Sequence, residues 1–200
     1  MEYEDAFVPE PYRNIWDRAK PMLERGRAGD VDHAVETVKM ILEYRGGIPI
    51  DLDVLVPVAM MHDIGHIAIL PEHFRYVTGP EKIVNGKLVH MLTGAKVARE
   101  VLESAGYDTG KSGEIVDIIS IHDADALEGI DHDRFYDTEN KKIFHDFDRL
   151  DRFSELRLKN VRDLYSDESV VKKMLDESLC TFIFPEFREL AESRLRNLYQ

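Results

Sequence analysis

Several features are scarce in this 200-residue chain, and each scarcity excludes a class of protein. There is one cysteine, Cys180, so a disulfide framework is excluded and a reducing, cytoplasmic environment is expected. Cys180 lies in the apolar segment SLCTFIF, which predicts a small buried side chain. The longest strongly apolar run, VLVPVAMM, is far shorter than the roughly 18–20 residues of a membrane span, and no membrane partner is expected.

Positive charge is also scarce. Lysine and arginine number 26 against 39 aspartates and glutamates, which gives a formal net charge of −13. This balance argues against a nucleic acid backbone as a partner, because phosphate chains are bound by clustered basic residues. Small anionic molecules are not excluded, since a bound metal can reverse the local field of an acidic protein. With 44% apolar and 32% charged residues, the chain is expected to form one globular domain over residues 1–200.

The apolar residues recur at helical spacing almost throughout, and no series of alternating, strand-like segments occurs. The predicted fold class is therefore all-α, a single-domain helical bundle with two longer loops. Pro57 predicts a kink or an early break within its helix. Six predicted helices cover residues 12–28, 30–47, 52–64, 86–106, 112–123 and 138–165, the last bent near Ser154. A seventh is capped by Ser166 or Asp167, and an eighth begins at Pro185. The two predicted loops cover 67–86 and 124–137.

Two of these helices extend an apolar stripe into histidine and aspartate. In the third helix, steps of three and four from Ala59 reach His62 and Asp63. In the fifth, a stripe of isoleucines leads to His122 in the same way. A buried carboxylate such as that of Asp63 costs several kcal/mol unless it is paired or binds a metal. Asp123 falls about 100° away from the stripe and is expected to cap the helix or to face water.

A single histidine on an apolar stripe is usually a satisfied core residue, but here the set matters more than any member. Facing helices can bring such residues together on a metal ion. Imidazole and carboxylate ligands suit Fe, Mn, Co, Ni or Zn better than Mg alone. His73 and His132 lie in the predicted loops and are expected at the surface. The candidate ligands come from five helices and are His33, His62, Asp63, His90, His122 and Asp148.

The order of four of these residues resembles the signature of the HD-domain superfamily of metal-dependent phosphohydrolases. The segments that carry the resemblance are DVDHAVETV with His33, AMMHDIGH with His62-Asp63, and DFDRLDRF with Asp148. The resemblance covers residues 30–155 approximately, and helices within 156–200 are expected to pack on that core. It implies an all-α bundle of the HD-domain type in which these four residues hold a metal ion.

A subset of the superfamily carries two further histidines and binds two metal ions. His90 in LVHMLTGA and His122 in IISIHD are similar to that arrangement. The resemblance then implies that Asp63 bridges to a second metal held by these two histidines, because a carboxylate has two oxygens. One or two divalent transition-metal ions are expected, and two are favoured. The His122-Asp123 and His145-Asp146 pairs are expected to be incidental as pairs.

The activity that this resemblance implies is hydrolysis of a nucleotide or another small phosphate ester by a metal-activated water. Asp63 and His66 are the catalytic candidates, with His66 donating a proton to the leaving oxygen or contacting a phosphate, or merely supporting a ligand. His66 stands where many binuclear members carry lysine, which leaves the substrate class open. Lys96 and Arg149 are candidate phosphate contacts, or else surface ion-pair residues.

Two other functions stay open at the level of the sequence. Some relatives use the same fold and a di-iron site to oxygenate small molecules, and the ligand types do not separate that chemistry from hydrolysis. Others are non-catalytic nucleotide sensors or partner-binding proteins, although such members usually lose ligands that are intact here. The oligomeric state is open as well, a homo-oligomer included.

Overall fold

The structure is a computed structural model that describes residues 7–70, 80–127, 131–164 and 167–198. Within these ranges it contains ten α-helices and no strand, which confirms the all-α prediction. Short 3-10 helices cover Glu10–Tyr12, Ile64–Ala68, Ala124–Ala126 and Asp151–Phe153. The α-helices are α1 Arg13–Leu23, α2 Asp30–Glu43, α3 Leu52–Met61, α4 Pro80–Ala105, α5 Thr109–Ile121, α6 His132–Phe135, α7 Glu139–Leu150, α8 Glu155–Leu164, α9 Glu168–Leu179 and α10 Pro185–Leu198.

Several predicted helices are divided in the structure. The third predicted helix ends at Met61, and the chain continues as a 3-10 helix from Ile64. The sixth is not merely bent near Ser154 but broken there, into α7 and α8 with a 3-10 turn between them. By contrast, α3 continues past Pro57, so the predicted early break is absent. The residues around this proline are fully buried, and tertiary packing outweighs its poor helix propensity.

The two predicted loops are shorter than expected. Helix α4 begins at Pro80, six residues before the predicted start, while His73 lies outside the described residues. The second loop contains α6, which His132 opens, so the prediction of a loop at His132 was wrong. Asp167 caps α9, since its carboxylate accepts a hydrogen bond from the backbone N–H of Ser169 at 2.9 Å. The alternative cap, Ser166, lies outside the described residues.

Helix α3 is the centre of the apolar core. Every residue from Val54 to Met61 is buried, and α1, α2, α4, α5 and α7 contribute to the same cluster. The C-terminal helices join it through Val171 of α9 and Phe187 of α10. The sequence of α3 is apolar on all faces because neighbouring helices surround it. Its C-terminal end, with His62 and Asp63, therefore lies inside the protein.

Two further expectations concern the surface. Cys180 is exposed rather than buried, because it follows α9 at its C-terminal end and its thiol lies 3.6 Å from the backbone oxygen of Asp176. The prediction of a buried cysteine was therefore wrong.

None of the helices in the described ranges combines the length and apolar content of a membrane-spanning segment.

Candidate metal centre

The six candidate ligands lie together at the centre of the bundle. His33 comes from α2, His90 from α4 and Asp148 from α7, while His62 and Asp63 follow α3 and His122 follows α5. All are buried except Asp148, whose side chain is 12% exposed. The predicted convergence of these side chains is therefore present in the structure.

One oxygen of Asp63 faces a first group of ligands. Its Oδ2 lies 3.6 Å from Nε2 of His62 and 4.0 Å from Nε2 of His33. The same two nitrogens surround Oδ1 of Asp148, at 3.4 Å and 2.9 Å respectively. His33, His62 and Asp148 thus form a compact set that could hold one metal ion.

The other oxygen of Asp63 faces a second group. Its Oδ1 lies 3.8 Å from Nδ1 of His90 and 3.8 Å from Nε2 of His122. A carboxylate that presents one oxygen to each of two histidine groups has the geometry of a bridging ligand. The structure therefore places Asp63 between two sets of nitrogens, as the resemblance to binuclear relatives implied.

Backbone carbonyls orient two of the rings. Nδ1 of His62 donates to the carbonyl of Ala59 at 3.1 Å, and Nδ1 of His122 donates to the carbonyl of Ile119 at 2.8 Å. The lone pair of each ring then lies on Nε2, directed at the carboxylates. Hydrogen bonding to an outer partner is how proteins commonly orient metal-binding histidines.

The inward-facing nitrogens have no hydrogen-bond partner among the described residues. These atoms are Nε2 of His62, Nδ1 of His90 and Nε2 of His122, all shielded from solvent. Unpaired buried polar atoms are rare and costly. Two ligands about 2.1 Å from one ion lie about 3–3.5 Å apart, close to the 3.4–3.8 Å that separates these nitrogens from the carboxylate oxygens. The donor set and its spacing fit metal ions.

Asp123 belongs to this centre, contrary to the expectation that it caps a helix or faces water. Its Oδ2 accepts a hydrogen bond from Nε2 of His90 at 2.9 Å, forms an ion pair with Lys87, and lies 3.8 Å from Nε2 of His122. Helix α5 ends at Ile121, so the helical rotation assumed for Asp123 does not apply. The His122-Asp123 pair is therefore not incidental, and Asp123 either orients His90 or joins the ligands.

Asp151 is a second residue that sequence reasoning did not assign. Its Oδ2 accepts a hydrogen bond from Nδ1 of His33 at 2.8 Å, and its Oδ1 accepts one from the hydroxyl of Ser154 at 3.0 Å. It thereby holds the His33 ring with Nε2 toward Asp148. The sequence could have indicated this residue, because Asp151 comes three residues after Asp148 and therefore lies at the same end of α7.

Electrostatics keep the carboxylates of the cluster ionised. Burial favours the neutral acid, but the surrounding histidines outweigh it and hold the pKa values of Asp63 and Asp148 well below the usual range. Burial lowers the pKa of His33, yet hydrogen bonds to Asp148 and Asp151 outweigh burial and raise it to about 10. For His90, burial dominates and lowers the pKa to about 4. Ionised carboxylates are the form that binds divalent cations.

His66, the predicted proton donor, lies at the edge of the cluster. Its Nδ1 donates to the backbone oxygen of Asp63 at 3.1 Å and is 3.4 Å from a carboxylate oxygen of Asp30. Its ring stacks on His90 with a centroid separation of 4.3 Å. The ring does not line the central pocket. The structure thus brings His66 beside the ligands, while its catalytic role stays a prediction.

Gly65 allows α3 and α4 to bring their ligands together. A Cβ at this position would lie 1.9 Å from the backbone oxygen of His90, a distance that no side chain could occupy. The 3-10 helix that follows Asp63 therefore packs directly on the backbone of α4. This close approach places His90 beside Asp63.

A pocket of about 50 Å³ opens onto the cluster, and its basic residues differ from the predicted ones. Lys96 is exposed and does not line it. Arg149 is 1% exposed, neither at the pocket nor at the surface, and is held by an ion pair with Asp125 and a hydrogen bond to Thr181. Within the described ranges, the basic residues that line the pocket are Arg27, Lys87, Arg152 and Arg157. They escaped the sequence analysis because none belongs to the histidine-aspartate pattern.

Comparison with known proteins identifies one family. The sequence model described as HD domain matches residues 30–155, which is more than half of the chain and includes all six candidate ligands. No curated protein and no solved structure matches the chain.

Proposed function

The chain belongs to the HD domain family, the HD superfamily of metal-dependent phosphohydrolases, and we propose that it hydrolyses a nucleotide or another small phosphate ester with two divalent transition-metal ions. The observation that carries the proposal is the position of Asp63. Its two oxygens face two separate histidine groups, and on each side at least one histidine nitrogen (Nε2 of His62 on one, Nδ1 of His90 and Nε2 of His122 on the other) has no hydrogen-bond partner among the described residues.

The proposed ligands divide between two ions. His33, His62 and Asp148 would hold the first, His90 and His122 would hold the second, and Asp63 would contact both. Divalent ions in such a site supply a water nucleophile at neutral pH and neutralise the charge of the phosphate oxygens. Mixed imidazole and carboxylate ligands support Fe, Mn, Co, Ni or Zn as the metal.

The protein's own groups orient the rings of this site. Asp151 fixes the ring of His33, and backbone carbonyls fix those of His62 and His122. The basic residues of the pocket wall would bind the phosphate oxygens. We retain His66 as the proposed proton donor, since its contact with the Asp63 carbonyl and its stacking on His90 hold the ring in one orientation.

The lining of the pocket favours hydrolysis over the oxygenase alternative. Four of the ten lining residues that the structure describes are basic, and apart from the histidines none of these ten is aromatic or aliphatic. Such a wall suits an anionic group better than a neutral molecule to be oxygenated. The complete ligand set likewise favours an enzyme over a nucleotide sensor.

The test is an assay of protein purified without chelator. The protein is incubated with Mn²⁺, Fe²⁺, Co²⁺, Ni²⁺ or Zn²⁺ and a panel of nucleotides and simple phosphate esters, with and without oxygen. We expect metal-dependent release of phosphate or nucleotide, equal in both atmospheres and abolished by chelator. Turnover that requires oxygen would contradict the proposal, as would the absence of hydrolysis with every ion.

A further inference from the structure

Arg27 is the basic residue closest to the bridging aspartate. Its Nη2 donates to Oδ2 of Asp63 at 2.9 Å, and its side chain is 45% exposed where it lines the pocket. A guanidinium has five N–H donors, and the contacts with Asp63 and Asp30 use two of them. The remaining donors have no partner within the described part of the chain and are available to an anion in the pocket.

Asp30 fixes the position of this guanidinium. Its carboxylate accepts from the backbone N–H of Arg27 at 2.9 Å and from Nε at 2.8 Å, and it is fully buried. Asp30 is the first residue of α2, and Gly29 precedes it with a left-handed φ of 92°. Asp30 lies one turn before His33 in α2, so it fixes Arg27 at the same end of the helix that carries this ligand.

The charge of the pocket lining indicates which phosphate it accepts. Among its described residues, the charges of four aspartates and four basic residues cancel when the histidines are neutral, so two divalent ions would give this part of the lining a net charge of +4. This charge suits the dianion of a phosphate monoester better than the monoanion of a diester. The lining residues in question are Asp63, Asp123, Asp148, Asp151, Arg27, Lys87, Arg152 and Arg157.

The lining of the pocket agrees with an end-on phosphate. The space at the ligands is small, about 50 Å³, and the described residues around it are charged side chains and histidines. Among the described residues of this lining, no aromatic side chain other than histidine offers a surface on which a base could stack. The described lining therefore offers groups that bind a terminal phosphate rather than groups that bind a base, which suits a monoester.

We propose that this site takes phosphate monoesters and that Arg27, positioned by Asp30, binds their terminal phosphate. The inference rests on the proposed function and deepens it, since it names the substrate class and the residue that recognises it. Arg27 contacts Asp63 without replacing a metal ligand, because a carboxylate oxygen has a second lone pair.

The first experiment uses inorganic phosphate as the probe and does not depend on turnover. Binding to manganese-loaded protein is measured by calorimetry for wild type, Arg27→Ala and Arg27→Lys, after the manganese content of each is determined. We expect Arg27→Ala to retain its manganese and to bind phosphate about 10- to 100-fold more weakly, with Arg27→Lys intermediate. The matched control is Arg25→Ala, because Arg25 lies two residues away, is not among the described residues that line the pocket, and donates a hydrogen bond to the Pro21 carbonyl.

The outcomes separate recognition of phosphate from support of the metal centre. Unchanged phosphate affinity in Arg27→Ala would overturn the assignment. Loss of manganese together with phosphate binding would also overturn it, because Arg27 would then act by supporting Asp63. If Arg25→Ala weakened binding equally, the effect would be one of general charge and the assignment would again fail.

A second experiment tests the substrate class and the role of Asp30. We expect wild type to hydrolyse p-nitrophenyl phosphate faster than bis-p-nitrophenyl phosphate, and Arg27→Ala to raise KM for the monoester. Asp30→Asn should raise KM by about 2- to 10-fold, since it misplaces Arg27; KM rather than kcat is the readout, because Asp30 also lies 3.4 Å from Nδ1 of His66. A preference for the diester, or a change of kcat alone in Asp30→Asn, would refute the inference. Wild type that binds phosphate through Arg27 but hydrolyses neither ester would instead contradict the proposed function.

Discussion

Two buried His-Asp pairs of this protein, His145-Asp146 and His62-Asp63, differ in their hydrogen-bond partners. In the pair His145-Asp146, Oδ1 of the aspartate accepts from Nδ1 of its neighbour at 2.8 Å and from the N–H of Ile183 at 3.0 Å. Its Oδ2 accepts from the N–H of Phe184 at 2.8 Å. This aspartate therefore attaches the segment before α10 to α7.

The pair His62-Asp63 is different, although it is equally buried. Oδ2 of Asp63 accepts a hydrogen bond from Arg27 at 2.9 Å, but Nε2 of His62 has no hydrogen-bond partner among the described residues, and the histidine nitrogens that face the Asp63 oxygens lie 3.4–4.0 Å from them. These distances are too long for good hydrogen bonds and close to the spacing of ligands on one ion. The comparison teaches that the partners of a buried pair, rather than its residue types, distinguish a structural role from a ligand role.

Asp63→Ala is expected to have the largest effect on metal content. It removes the one carboxylate shared by both groups of ligands, so both ions and all metal-dependent hydrolysis should be lost while helicity is largely retained. Metal analysis, circular dichroism and the hydrolysis assay measure these three properties. Retention of metal in this variant would mean that the pair is not the centre of the site.

His122→Ala should remove about half of the metal. It deletes a ligand of the second ion only, so one ion should remain per chain, and hydrolysis should fall far more than after a surface substitution. Metal content is measured on the purified variant alongside wild type. Full metal content with full activity would refute the binuclear arrangement and make His90 and His122 groups that contact substrate.

Asp151→Asn should weaken metal binding without abolishing it. The substitution keeps a hydrogen-bond acceptor for His33 but removes the negative charge that orients and polarises its ring, and changes of this kind typically cost about tenfold in affinity. Competition with a chelator of known affinity measures the change. An effect as large as that of Asp63→Ala would make Asp151 itself a ligand.

Asp146→Ala should leave the metal content unchanged and reduce stability instead. It leaves the N–H groups of Ile183 and Phe184 without their acceptor, at a cost of about 1–3 kcal/mol in the free energy of unfolding. Urea denaturation measures that cost. Loss of metal in this variant, with stability intact, would remove the distinction between the two pairs.

The sequence predicted the helices and most of the cluster for a physical reason. The residues before His62 and His122 form regular helices, so the phase of the apolar stripe points directly to buried positions. Helix boundaries with a clear signal were also predicted: the fourth predicted helix ends at 106, where the structure has a glycine with positive φ, and Asp167 was one of the two predicted caps of α9. Regular periodicity therefore located the ligands that regular helices carry.

The residues that were missed lie where that periodicity stops. Asp123 follows the end of α5, so its direction could not be obtained from helical rotation. Arg27 lies in the turn before α2, and its place in the pocket depends on its contact with Asp30. Arg149 was taken for a phosphate contact or a surface residue, because nothing in the sequence indicates that Asp125 and Thr181 enclose it.

The central claim, that Asp63 bridges two ions, is tested most directly by electron paramagnetic resonance of manganese-loaded protein with known metal content. We predict two Mn²⁺ per chain with an exchange-coupled spectrum, which becomes the spectrum of a single uncoupled Mn²⁺ in His122→Ala. Two ions without exchange coupling, or no tightly bound Mn²⁺ in wild type, would contradict the bridging role of Asp63.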